Sequence, residues 1–388
     1  MKKTISAVIT LILFTCALLP GASATEKSSE LADDARSAIL IERDTGTVLY
    51  EKNSRERFAP ASMTKIMTML LIMEAIADGK LRMDEKVRTS DNAASMGGSQ
   101  IFLEPGEEMT AREMLMGIAI GSANDASVAM AEKVAGSEAA FVEQMNRRAK
   151  ELGLKDTHFK NTTGLMAKDH YSSARDMSIM AKELLKHEQI TEFTKQYESY
   201  LRENSDKKFW LVNTNKLVRF YPGVDGLKTG FTNEAKYCLT ATAKKDNMRV
   251  IAVVFGASTP KSRNAQITKM LDYAYSQYTS HPLVKKGETL GEVQVSKGEV
   301  KKVKVVTSEP ISVLTKKGEK LEGLQHEVKL KKDMRAPIKK GQEVGMLLIR
   351  KDGRTLASAS LEAKQDVKEA SWWQLYKRAM GMFTKSGS

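Results

Sequence analysis

The segment from Met63 to Ala77 (Met-Thr-Lys-Ile-Met-Thr-Met-Leu-Leu-Ile-Met-Glu-Ala-Ile-Ala) constrains the fold more than any other stretch of the chain. It reads as a helix too apolar all round to lie on a surface, so other elements must cover it from every side. A core of that kind needs a large domain, and 388 residues, 41% of them hydrophobic, can supply it. There is no heptad array, Gly-X-Y repeat or long low-complexity run, which excludes a coiled coil, a collagen-like rod and a disordered chain.

The pattern around this helix alternates. Ser37 to Glu42 and Thr47 to Glu51 read as two strands, joined at Asp44-Thr45-Gly46 into a hairpin. Helical patterns dominate from Thr110 to about Lys186, with Asp125 to Val134 and Glu138 to Leu152 among them. Ser173 to Asp176 has the pattern of a capping box. Strands are expected at Tyr237 to Ala243 and Arg249 to Gly256, followed by a helix from about Lys261 to Tyr278. A boundary is expected at His281-Pro282. Beyond it short strand-like runs alternate with turns, and Lys-Lys-Gly recurs at 285–287, 316–318 and 339–341. Each glycine there can supply a turn conformation that other residues resist. The expected organisation is a mixed domain over 25–280, a small all-β domain over 281–363 and a tail over 364–388.

The first 24 residues read as an export signal. Lys2 and Lys3 form a basic start, Ile5 to Leu19 an apolar run, and Ala22-Ser23-Ala24 a cleavage site. The run is short for a membrane span of roughly 20 residues. Cleavage leaves one cysteine, Cys238, in the apolar run Tyr237-Cys238-Leu239, which reads as a buried, inert thiol. The five histidines lack metal-ligand spacing, so no metal is expected.

The net charge of +13 is unevenly placed: residues 281–363 carry 18 basic and 11 acidic side chains. In an exported protein the candidate partner is an anionic membrane or wall polymer, not nucleic acid, and the alternative is a merely solvated basic surface. In the tail, Trp372, Tyr376, Ala379, Met380 and Phe383 share one face of a helix expected from Val367, and Trp373, Leu375 and Met382 widen the stripe. Lys368, Lys377 and Arg378 flank it. This fits an amphipathic helix lying in a membrane interface, with a helix docked on its own domain as the alternative.

Three short motifs could carry chemistry. Ser62 and Lys65, three apart at the start of the apolar helix, are neighbours across one turn. A serine hydroxyl needs a base, and lysine is one only when neutral, a state that burial and nearby positive potential favour. Ser122-Ala123-Asn124 lies between two apolar runs and could aim a hydroxyl and an amide into a cleft. Lys228-Thr229-Gly230 heads an expected strand, where a lysine and a threonine can bind a carboxylate and glycine permits close approach. Each motif is weak alone. Ser205 to Lys208 and Ser258 to Lys261 repeat the first pattern, Ser90-Asp91-Asn92 and Ser262-Arg263-Asn264 the second, and a helix cap is an ordinary use for such serines.

In this order the three resemble the signature of active-site serine penicillin-binding proteins and β-lactamases. The stretches Ala59 to Lys65, Gly121 to Ala126 and Asp225 to Gly230 resemble, more narrowly, the low-molecular-mass penicillin-binding proteins of the D-alanyl-D-alanine carboxypeptidase family, peptidase S11 type. In detail they resemble its sporulation-associated Bacillus-type branch. The likeness covers essentially the whole mature chain, and Ala123 stands where glycine is common. It implies an α/β catalytic domain of the β-lactamase/transpeptidase-like type, an antiparallel sheet flanked by helices, then a small all-β domain and a C-terminal amphipathic helix. It implies removal of the terminal D-alanine from peptidoglycan stem peptides ending in D-Ala-D-Ala, with β-lactams as inhibitors and no cofactor. Ser62 would be the nucleophile, Lys65 its base, and Ser122 a proton relay. Asn124 would hold the substrate amide, Lys228 would tune Lys65 and Ser122, and Thr229 would bind the terminal carboxylate, with Arg263 a candidate helper. Backbone N–H groups of Ser62 and Phe231 would form the oxyanion hole. The implied location is the outer face of the cytoplasmic membrane or the wall.

Three other readings share these residues in part. A D,D-endopeptidase would use the same site. A class A β-lactamase would need a Glu-x-x-Leu-Asn segment, and the nearest stretch, Glu198 to Arg202, lacks the Asn. A non-catalytic wall-binding protein would keep the motifs without turnover.

Overall fold

The computed structural model describes residues 31–383, with side chains as far as residue 378. The export signal expected at 1–24 and the side chains of Ala379, Met380, Met382 and Phe383 lie outside the described residues.

Five antiparallel strands form the central sheet, in the order Val48–Lys52, Ser37–Glu42, Met248–Ala257, Lys236–Lys245, Val224–Thr232. Successive strand residues point to opposite faces. Ile39, Ile41, Ile251, Val253 and Phe255 therefore join the core shared with the apolar helix. Leu40, Val250, Ala252 and Val254 pack on the other face with Ile267, Met270, Leu271 and Ala274 of the helix Pro260–Gln277. Both faces are covered, which is why these strands read as unbroken apolar runs.

The apolar segment is a helix over Lys65–Ala77, buried at ten positions from Lys65 to Ala75. It packs against the helices Asn124–Ala135, Glu138–Glu151 and Ala174–Leu184. Its first turn differs from expectation: Ala61–Thr64 is a tighter 3-10 turn that carries Ser62 just ahead of the α-helix. Lys228-Thr229-Gly230 does not head its strand but occupies the middle of Val224–Thr232. Ser173 caps the helix Ala174–Leu184 by accepting the Asp176 N–H. Asp176 turns instead to Asp156 N and Thr157 Oγ1, so the box is half made.

The C-terminal part is all β. Its six-stranded sheet runs Gln325–Leu330, Glu343–Lys351, Arg354–Ala363, Lys302–Thr307, Thr289–Ser296, Met334–Arg335. Gly287, Gly318 and Gly341, the three Lys-Lys-Gly glycines, all take positive φ. His281-Pro282 falls inside a strand, Tyr278–Val284, that pairs with Ile311–Lys316. Val367 is buried in this β core and bridges to Ile338, so residues just past 363 complete the sheet region. The tail helix accordingly starts at Trp372, later than Val367. Lys186 meets Glu309 at 2.7 Å and Ser312 Oγ donates to Asp44, which joins the two sheet regions.

Candidate active site

Ser62 and Lys65 sit where the 3-10 turn feeds the buried helix. Ala61, just before Ser62, has φ 48°. Its carbonyl lies where a side chain on Gly164 would be, since a Cβ there would approach Ala61 O to 1.8 Å. Only glycine, itself at φ +84°, lets the 161–165 segment come that close.

Lys65 Nζ is fully buried and lies 2.6 Å from Asn124 Oδ1, 2.7 Å from the Thr163 carbonyl and 3.3 Å from Ser62 Oγ. The Asn124 amide has one orientation available, because its Nδ2 donates to the Gly97 carbonyl at 2.7 Å. A neutral amine has two N–H groups and one lone pair. Asn124 Oδ1 and Thr163 O take the two hydrogens, which leaves the lone pair for the Ser62 hydroxyl. Burial and, secondarily, the Lys228 charge hold the Lys65 pKa well below that of an ordinary lysine, and Asp125 opposes them.

Ser122 ends a π-helical turn, Gly117–Gly121, in the left-handed region at φ 63°. A non-glycine residue in that region costs of order 1–3 kcal/mol and is a mark of functional sites. Its hydroxyl has no hydrogen-bond partner among the described residues, although the residue is only 4% exposed. Asn124 opens the next helix, Asn124–Ala135. Asp125 then accepts the N–H groups of Ile101 and Leu103, and Asn124 N donates to Ser99 O, so residues 99–103 roof the site.

The third motif lines the sheet edge. Lys228 is 1% exposed, donates to the Thr229 carbonyl, and is held down to a pKa of about 7 by burial first and the Arg263 charge second. It makes no direct bond to Lys65 or Ser122. Thr229 Oγ1 donates to Thr214 Oγ1 at 2.7 Å. Arg263 is buried on the helix Pro260–Gln277 and forks onto Asn264 Oδ1. Phe231 is half exposed and stacks on Tyr237. A Cβ on Gly230 would lie 2.8 Å from Pro60 O and 3.2 Å from Ala61 Cβ. The glycine thus sets how closely the strand approaches the Ser62 turn. Gly230→Ala is expected to push the two apart, at a cost of about 1–3 kcal/mol in stability. β-Lactam acylation should slow more than unfolding free energy falls, which paired acylation and denaturation measurements would show.

Sequence motifs alone did not mark Thr163, Gly164, Thr214 or Asp125. The repeated motifs elsewhere serve as caps and ties: Ser90 Oγ accepts the Ala93 N–H, and Ser258 Oγ donates to Asp34. Glu198 lies in a hairpin strand, with Trp210 Nε1 donating to its carboxylate, remote in role from any deacylating base. Cys238 is fully buried and its thiol is pushed up to about 12.

A serine hydroxyl 3.3 Å from a buried lysine amine, beside a strand that carries a second buried lysine, is the arrangement of an active-site serine enzyme. Comparison with known proteins narrows this. Residues 23–259 match the D-alanyl-D-alanine carboxypeptidase family and residues 278–369 match the C-terminal domain of penicillin-binding protein 5. The chain is 64% identical to D-alanyl-D-alanine carboxypeptidase DacF of Bacillus subtilis, over 99% of this chain and 100% of that one. It is 33% identical to DacC of Escherichia coli over 91% of this chain and 90% of that one. Penicillin-binding protein 5 from Haemophilus influenzae superposes with a TM-score of 0.67 at 30% identity, covering 87% of this chain and 98% of that one. The chain belongs to the D-alanyl-D-alanine carboxypeptidase family, with the α/β catalytic domain and C-terminal β domain of that family.

Proposed function

We propose that this chain releases the terminal D-alanine from peptidoglycan stem peptides through an acyl-enzyme on Ser62, with Lys65 as the base. The placement of Lys65 Nζ carries the reading: it is dry, held by two carbonyl acceptors, and has its remaining valence toward Ser62 Oγ. The Ser62 oxygen attacks the carbonyl of the penultimate D-alanine while its proton passes to Lys65. The oxyanion is received by the backbone N–H groups of Ser62 and Phe231, where one such donor typically contributes about 10²- to 10³-fold in rate. The C–N bond breaks, and the leaving amine takes a proton by way of the unpartnered Ser122 hydroxyl. Asn124 orients the substrate amide as well as Lys65. Thr229 and Lys228 receive the terminal carboxylate, and Gly230 gives the peptide room at the strand edge. Water then hydrolyses the ester. A cavity of about 560 Å³ is lined by Pro60 and Ala61, which precede Ser62, together with Leu165, Thr232 and Glu234, and the reading assigns it to the acyl-donor chain. A synthetic peptide ending in D-Ala-D-Ala should release free D-alanine, and a cross-linked muropeptide should not be cut. Cleavage of the cross-link with no D-alanine release would favour the endopeptidase.

The same reading includes export and peripheral attachment to the outer face of the membrane. The basic C-terminal region supports it, as do Trp372, Trp373 and Tyr376, which stack on one another and are 73%, 57% and 45% exposed. Among the described residues no helix is long and apolar enough to cross a membrane. Arg378 donates to the Gly298 and Glu299 carbonyls and so ties this helix to the β region. Because Val367 belongs to the β core, the informative truncation removes 372–388 and leaves 367–371 in place. It is expected to abolish binding to anionic vesicles with D-alanine release in solution unchanged. Retained vesicle binding would refute the tail's role. Resemblance to the sporulation-associated branch supports a role during sporulation, which expression confined to sporulating cells would bear out.

A further inference from the structure

His170 is a buried histidine whose hydrogen bonds go to Thr64 and Lys160, not to Ser62 or Lys65. Its Nδ1 accepts the backbone N–H of Lys160 at 3.1 Å, so that nitrogen carries no hydrogen. The other, Nε2, therefore carries it and donates to Thr64 Oγ1 at 2.8 Å. Thr64 is fully buried between Ser62 and Lys65 in the chain. The imidazole thus spans from the start of the 160–170 segment to the turn that carries the nucleophile. Within that segment Asn161 Oδ1 accepts the N–H groups of Thr163 and Gly164, which turns the Thr163 carbonyl onto Lys65 Nζ. Phe159 packs edge-on against the ring, and Asp169 O meets His158 Nδ1 at 2.6 Å. Burial, with His158 second, holds the His170 pKa down to about 4, so the ring is neutral in the working range.

We propose that His170 is a positioning residue for the lysine base: it clamps the Thr163 carbonyl against Lys65 by tying the 160–170 segment to Thr64. The inference rests on Lys65 being the base. Thr162, the preceding residue, is also held by Thr68 Oγ1 and Glu138, so without the clamp the Thr163 carbonyl loosens against Lys65 and water reaches the amine. The groups that already set its charge state remain Lys228 on the strand edge and Asp125 on the helix Asn124–Ala135. Rehydration then favours the ammonium form, so a higher pH is needed to free the base.

The test measures second-order acylation by benzylpenicillin across acid, neutral and alkaline pH, together with melting temperature. His170→Ala is expected to slow acylation roughly 10- to 100-fold at neutral pH, the scale of a displaced catalytic group. It should also move the acid limb of the profile up by about one pH unit, with rate regained in alkali. His170→Gln, whose side-chain N–H can reach Thr64, should restore much of the limb's position. Thr64→Val should shift the limb as His170→Ala does, and the double variant should be no worse than the single ones. A uniform loss at every pH that follows melting temperature, or additive effects of the two substitutions, would overturn the proposal. A wild-type profile with no acid limb would instead remove Lys65 as base, and the proposal with it.

Discussion

Lys65→Ala is expected to lower acylation of Ser62 by roughly 10³- to 10⁴-fold, the upper range for loss of a positioned general base. Lys65→Arg should be nearly as inactive. Arginine keeps the charge and some of the hydrogen bonds but is not deprotonated in this pH range. The pair separates a base from a merely electrostatic lysine, since an electrostatic role would survive in the arginine variant. The wild type should acylate faster as pH rises and reach its plateau below the range in which an ordinary lysine titrates, because the Lys65 pKa is depressed by burial and by Lys228. Stopped-flow acylation rates for the three proteins over a pH series would decide the matter.

Lys228→Met is expected to lower acylation by roughly 10²-fold and, at neutral pH, to make the fold more stable. Lys228 is buried with one backbone acceptor and no carboxylate partner. Its folded pKa of about 7 lies below that of an unfolded lysine, so the unfolded chain binds more protons between about pH 7 and 10.4. Stability therefore rises with pH across that window, and the penalty of holding Lys228 is full below about pH 7. Replacing buried ionic groups with apolar residues of similar volume is often neutral or stabilising, by up to about 4 kcal/mol. The gain should shrink toward zero above about pH 11, where lysine is neutral in both states. Denaturation of both proteins at neutral and alkaline pH tests this. A destabilised variant at neutral pH would show that Lys228 contributes more through contacts than its burial costs.

The side chains gathered in the candidate site were legible because three short motifs fall in one order, and because the helix after Ser62 is too apolar to be anything but buried. What the motifs could not reveal are groups delivered by the backbone. Thr163 acts through its carbonyl and Gly164 through its missing Cβ, and neither leaves a side-chain signature. Thr214 and His170 enter from segments distant in sequence. The motif Lys228-Thr229-Gly230 reads as a strand start because of the turn-rich Tyr221 to Gly226 before it. The strand in fact begins at Val224, since Gly226 sits within the ladder opposite Thr242. Val367 reads as the start of the tail helix because the sequence between it and Trp372 carries no break. Its burial in the β core is a tertiary fact.

Intact-mass analysis of the mature protein after brief exposure to benzylpenicillin, with peptide mapping and a chase, tests the central claim most directly. The account predicts one covalent adduct, on the peptide holding Ser62, that is lost slowly and never forms in Ser62→Ala. An adduct on another residue, or none in a folded sample, would contradict it.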